Sequence, residues 1–160
     1  MNDQFLYHGT NTEFTAIDLA YSRDRRDFGK GFYTTTLMTQ AEDWAKNIQV
    51  RYGGDGAFLY VFEYRNDPAL KIKTFDGLCV EWLEMVKNSR LKGGLQHDFD
   101  MVTGPVANDN TMPTLALYVD GTLSLEATLL QLSYFKANDQ ASFHTERSLR
   151  SLRLIERRRL

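Results

Sequence analysis

Cross-links, linkers and long apolar runs are all scarce in this chain. Its 160 residues include one cysteine, Cys79, and three scattered prolines. A single cysteine closes no intrachain disulfide, so the fold must rest on burial and is at home in a reducing compartment. No apolar run approaches the ~20 residues that span a bilayer. The N-terminal MNDQFLYHG lacks the basic-then-apolar order of a secretory signal. A cytoplasmic location is the expectation. Charge of one sign is missing too: 19 Lys+Arg stand against 21 Asp+Glu, a net charge of −2. That excludes a globally basic nucleic-acid clamp and leaves room only for a local patch. No internal repeat or low-complexity tract is visible, so residues 1–160 read as one domain. What remains is 42% hydrophobic and 12% aromatic, enough to bury a core without staples.

The coarse pattern is mixed. Residues 4–7 read as a short strand running into His8-Gly9-Thr10, and residues 11–26 as a loop with one helical turn. Gly29-Lys30-Gly31 marks a bend, and the aromatic and β-branched residues after it favour a strand. Thr39 suits the N-cap of a helix to about residue 50, with Ala41, Trp44, Ala45 and Ile48 on one face. The glycines at 53, 54 and 56 form a turn before the strongest strand, 57–64, and residues 70–75 read as another. An amphipathic helix over 78–88 would bury Cys79 as a small apolar residue. Further along come a strand over 100–106, a leucine-rich helix over 124–135 and a turn at 137–139. A strand over 140–143, a brief helix capped by Thr145 and a final strand at 154–155 complete the pattern. Strands and helices without regular βαβ alternation indicate an α+β fold.

Taken singly, the chemistry-bearing residues are bland. His8 at a strand end reads as structural, and His97 and His144 have no Cys or His at zinc-ligand spacing. Gly29-Lys30-Gly31 lacks the Lys-Ser/Thr pair of a phosphate loop. Arg157-Arg158-Arg159 reads as a solvated tail, and Arg147, Arg150 and Arg153 as a basic helical stripe.

Together they are less so. Tyr7-His8-Gly9-Thr10, Phe28-Gly29-Lys30-Gly31-Phe32-Tyr33 and Asn138-Asp139-Gln140-Ala141-Ser142-Phe143 resemble the three motifs of the diphtheria-toxin-like, poly(ADP-ribose)-polymerase-like ADP-ribosyltransferases. Over nearly its whole length the chain is similar to a bacterial family of unknown function, DUF3990. The likeness runs through Tyr-His-Gly-Thr, Asp-Phe-Gly-Lys-Gly-Phe-Tyr, Gln-Ala-Ser-Phe-His-Thr-Glu and the Gly-Pro-Val-Ala stretch of residues 104–109. The resemblance implies an ADP-ribosyltransferase-like split β-sheet with an NAD cleft, NAD as substrate and no metal. It implies a mono-ADP-ribosyltransferase acting on a protein or nucleic acid, in the setting of a bacterial toxin, effector or phage-defence enzyme. A toxin would bring a neutralising antitoxin as partner. His8, Tyr33 and Gln140 would be catalytic, and His8, Gly9, Thr10, Arg26, Phe28, Lys30 and Tyr33 would hold NAD, with His8 and Tyr33 on one side of the cleft and Gln140 on the other.

Physical chemistry gives these residues matching tasks. The nicotinamide–ribose bond breaks through an oxocarbenium-like transition state, as in glycoside cleavage. A ring nitrogen of His8 suits the ribose hydroxyls, Gly9 permits close backbone approach to the carboxamide, and Tyr33 offers a π-face to the cationic ring. Thr34 or Thr35 would add a hydroxyl. Arginine forks fit a pyrophosphate, which draws attention to Arg23, Arg25 and Arg26, with Arg26 and Lys30 as phosphate candidates. At the third motif, Gln140 stands where chain-elongating polymerases carry glutamate. An amide orients a hydroxyl but is no general base, which favours single transfer. Glu146 is the alternative carboxylate, and it also suits the first turn of a helix after Thr145. On this reading Gln140→Glu is tolerated and Gln140→Ala is not. An NAD glycohydrolase, or a non-catalytic module binding NAD, ADP-ribose or a partner, would use the same cleft.

Overall fold

The computed structural model describes residues 1–108, 110–134 and 138–160. Among them lie seven strands and five α-helices, an α+β arrangement. The strands are β1 (Gln4–Thr10), β2 (Phe32–Thr34), β3 (Phe58–Tyr64), β4 (Ile72–Thr74), β5 (Met101–Pro105), β6 (Asp139–Phe143) and β7 (Leu152–Arg159). They form one antiparallel sheet in the order β1-β3-β7 and a second, mixed sheet in the order β2-β6-β5-β4. Among the described residues one backbone bridge joins the two sheets, where Tyr7 and Thr35 exchange hydrogen bonds of 2.8 and 2.9 Å.

Alternation along the strands sorts the side chains into layers. On β3, Phe58, Tyr60, Phe62 and Tyr64 meet Phe32, Met101, Ala141 and Phe143 of the second sheet, so the main aromatic core lies between the sheets. Leu59 and Val61 point the other way, onto Ala41 of α1 (Met38–Tyr52). The far face of the second sheet is covered by α2 (Val80–Lys92), α3 (Met112–Val119) and α4 (Leu125–Leu132), through Trp82, Leu83, Val86, Leu115, Tyr118 and Leu132. No helix among the described residues is long and apolar enough to cross a membrane.

Several sequence expectations change. Helix α1 begins at Met38 behind Leu37, so Thr39 lies within the first turn rather than at the cap. Trp44 is 42% exposed and leaves the face formed by Ala41, Ala45 and Ile48. Cys79 is the exposed N-cap of α2, not a buried helix residue. Helix α3, with Pro113 in its first turn where a missing N–H is harmless, has no counterpart in the sequence pattern. Ser124 caps α4 as its side chain accepts from the Ala127 N–H. The expected end of that helix at 135, Ala137 of the expected turn and Asp109 of the Gly-Pro-Val-Ala stretch lie outside the described residues. Thr145 caps α5 (Glu146–Leu149) with a reciprocal capping box. Helix α5 holds Arg147 only, Arg150 is its C-cap and Arg153 lies in β7, so the three arginines form no helical stripe. Arg157, Arg158 and Arg159 are strand residues registered against Tyr60, Leu59 and Phe58, not a tail.

Candidate functional site

The β1–β2 junction floors a cleft of about 1190 Å³. His8, Gly9 and Thr10 reach it from β1, Phe32 and Tyr33 from β2, Trp44 and Ile48 from α1, and Arg23 and Arg26 from the loop before the bend. The Tyr7–Thr35 bridge sets His8 beside Tyr33, and His8 Nδ1–H donates to the Tyr33 carbonyl at 2.6 Å. That carbonyl can only accept, so the proton sits on Nδ1. Burial pushes the imidazole pKa down to about 4; the Arg26 cation pushes the same way, and the Tyr33 carbonyl opposes both. His8 is therefore neutral near pH 7. Its Nε2 makes no hydrogen bond among the described residues, which leaves a free lone pair on a fixed ring. Phe32, 4.4 Å away between ring centroids, holds that ring in place.

Tyr33 is tied by its hydroxyl, which donates to the Gly29 carbonyl (2.7 Å) and accepts from the Phe28 N–H (3.0 Å). Burial raises its pKa well above the ordinary phenol value, so it stays protonated. One cation already meets its ring: Arg26 Cζ lies 5.2 Å from the Tyr33 centroid and 5.5 Å from that of Trp44. The π-face expected to be open to a ligand is shared with Arg26.

The Gly-Lys-Gly bend is held from outside. His97 Nε2–H donates to the Phe28 carbonyl and His144 Nδ1–H to the Lys30 carbonyl, each at 2.8 Å. With Tyr33 on Gly29, each of three successive carbonyls is bound by a side chain. Gly29 has φ +89°, and a Cβ at Gly31 would stand 2.6 Å from His144 Nδ1, so both glycines serve this packing. Sequence reasoning missed this role of His97 and His144. The Phe143-His144-Thr145-Glu146 segment carries a signal for His144 that metal-ligand spacing does not read, and no local pattern marks His97.

The remaining sequence-predicted residues divide between ligand space and framework. Gly9 lines the cleft, but its missing Cβ makes room for α1: an added Cβ would lie 1.9 Å from the Ala41 carbonyl oxygen. Thr10 lines the cleft as well. Phe28 is fully buried and stacks on Phe75, so it belongs to the core rather than to a cofactor contact. Lys30 is exposed and does not line the cleft. Arg25 donates to the Arg90 and Leu91 carbonyls at the end of α2. The hydroxyls of Thr34 and Thr35 are bound to the Ala141 carbonyl and to Asp139.

Gln140 does not face His8 across the cleft. Its Nε2 donates to Asp27 Oδ2 and to the Pro105 carbonyl, both at 2.9 Å. Asp27 also accepts from the Ala107 N–H (2.8 Å) and forms an ion pair with Arg90. Gln140 lines a separate pocket of about 560 Å³ with Thr36, Asp139 and Phe75. Glu146 is exposed and lines neither pocket. The carboxylates that do border the large cleft are Glu13, Asp18 and Asp55, with Glu13 paired to Arg157 at 2.6 Å.

Half-buried His8 and buried His144 make stability depend on pH. Burial pushes His144 down to about 4 as well; its Lys30 bond opposes the shift and neighbouring His97 adds to it. Both folded values lie below the unfolded one, so the unfolded chain takes up protons that the folded chain refuses. This stability is complete above pH 6.5 and lost as pH falls toward 4, by roughly 3 kcal/mol per imidazole. Urea midpoints measured from pH 7.5 to 4.5 should fall steadily below 6.5; a flat profile would mean that the imidazoles are not shielded.

A protein-family model described as "Protein of unknown function (DUF3990)" matches residues 4–154. No curated protein and no solved structure matches the chain.

Proposed function

We propose that this chain, which belongs to the DUF3990 family, is an NAD-dependent mono-ADP-ribosyltransferase. The observation that carries the reading is the fixed, neutral His8, with its free Nε2, beside Tyr33 on the floor of one large cleft. In the reaction the nicotinamide–ribose bond breaks, its electron pair leaves with nicotinamide, and an acceptor nucleophile bonds the ribosyl carbon. His8 Nε2 accepts a hydrogen bond from a ribose hydroxyl and so fixes the sugar as charge develops. The Tyr33 ring holds the cationic nicotinamide ring of bound NAD, which becomes neutral as it leaves with the electron pair. The motif resemblance is consistent with a bacterial toxin or effector, for which a neutralising protein would be the partner.

A second reading is NAD glycohydrolase, favoured by Gln140 and Glu146 both standing outside the cleft. A site that ionises NAD without activating an acceptor passes the ribosyl group to water. Incubation of the protein with labelled NAD and bacterial lysate separates these readings. Label on macromolecules supports transfer, free ADP-ribose supports hydrolysis, and intact NAD overturns both. His8→Asn retains a donor toward the Tyr33 carbonyl and removes the Nε2 acceptor. It should cut NAD consumption at least tenfold, about 1.4 kcal/mol of barrier, without changing the melting temperature. Full activity in this variant would remove His8 from the chemistry.

A further inference from the structure

The Arg26 guanidinium is unusual for what it lacks. Among the described residues it makes no hydrogen bond and no ion pair, although it is half-buried in the cleft wall. Its neighbours are instead two aromatic rings, Tyr33 at 5.2 Å and Trp44 at 5.5 Å. A guanidinium carries five N–H donors, and here each must be met by water in the cleft or by a ligand. Burial lowers its pKa, the direction expected of a cation short of partners. Two rings that hold one planar cation would hold another, and a planar fork is well shaped for phosphate oxygens.

We propose that Arg26 and the Tyr33–Trp44 pair form a coupled two-part site. The guanidinium binds a diphosphate and, in turning toward it, vacates the rings for a planar heterocyclic cation. The inference rests on the NAD reading for its combination of ligands, since one molecule carrying both groups would fill both parts. Without the anion, Arg26 occupies the ring faces and keeps a lone cation out. With it, the fork gains charge-assisted bonds, and the exposed ring faces take the second group. The coupling is reciprocal: each ligand tightens the other by the same factor.

Trp44 makes the coupling observable, because it lies in the cleft while Trp82 is fully buried in the core. Titrations of tryptophan emission with inorganic pyrophosphate and with 1-methylnicotinamide test it without any turnover of NAD. In the wild-type protein, saturating pyrophosphate should tighten 1-methylnicotinamide at least fivefold. Arg26→Ala should weaken pyrophosphate at least tenfold and bind 1-methylnicotinamide at least fivefold more tightly than wild type. Arg26→Lys keeps the charge but loses the planar fork, and should retain weakened pyrophosphate binding with little coupling. The proposal is overturned if pyrophosphate leaves the wild-type affinity for 1-methylnicotinamide unchanged, a result that needs no variant to fold. Equal pyrophosphate affinity in Arg26→Ala overturns it as well. These outcomes are independent of NAD consumption: a protein that leaves NAD intact but shows the coupling retains this site and loses only the catalytic reading.

Discussion

Gln140→Glu should destabilise the protein at pH 7 by about 3–5 kcal/mol, the scale of an uncompensated buried charge. Gln140 is 7% exposed, and its amide nitrogen donates to two acceptors, Asp27 Oδ2 and the Pro105 carbonyl. A carboxylate there has no proton to give either one and would lie against the Asp27 carboxylate. Gln140→Ala removes the same two bonds but buries no charge, and Asp27 keeps Arg90 and the Ala107 N–H. Its cost should be smaller, about 1–2 kcal/mol. This reverses the order expected from the motif alone, where glutamate is the natural occupant. The sign with pH is distinctive. The introduced carboxyl keeps its proton to higher pH in the fold than the ordinary ~4.3 of an unfolded chain. Its deficit should therefore grow as pH rises through that value and flatten once the folded group ionises. Urea denaturation of the two variants at pH 4.5 and 7 decides the matter. A glutamate variant as stable as wild type at pH 7 would mean that the 140 side chain can swing out of the Asp27 network.

Gly9→Ala should be nearly as severe, at about 3 kcal/mol or more, the upper end of overpacking costs. The obstacle is backbone, which no rotamer change relieves: the added Cβ would sit 1.9 Å from the Ala41 carbonyl oxygen and 3.1 Å from the Ala45 nitrogen. Helix α1 would have to lift from β1, carrying Trp44 away from Arg26 and Tyr33. Denaturation midpoints, with hydrogen exchange of α1 amides, should report both the lost stability and the loosened helix. Gly77→Ala is the control, since nothing lies within 4 Å of its added Cβ, and it should stay within about 0.5 kcal/mol. Wild-type exchange in α1 of Gly9→Ala would show that the helix is seated more loosely than these distances imply.

The sequence was most legible where pattern and packing agree. β3 alternates between two buried faces and is bounded by glycines and Asn66-Asp67-Pro68, so its existence and limits were plain. Helix α3 is invisible in the sequence because its eight residues, with Pro113 near the start and the hydroxyl-bearing Thr114 buried, have no polar face to give them a period. β7 was underread because arginines are poor strand formers in isolation. Pairing with β3 and ion pairs to Glu13, Glu42 and Glu63 override that preference. Within the site, His8 and Tyr33 could be paired through their motifs. The burial of Phe28, the anchoring of Gln140 on Asp27 and the seat of Arg26 depend on contacts distant in sequence, which no local spacing encodes.

The fastening of the bend also bears on when the cleft can exist during synthesis. The Phe28 carbonyl waits for a residue 69 positions later and the Lys30 carbonyl for one 114 positions later. β2 finds its sheet partner only in β6, near the end of the chain. A growing chain can already pair Tyr7 with Thr35 and so set His8 beside Tyr33, but the carbonyls of the bend stay unfastened until residues 97 and 144 have been added. Contacts of such long separation form late. The fastened bend is therefore a late feature of folding, complete only in a chain that extends through residue 144.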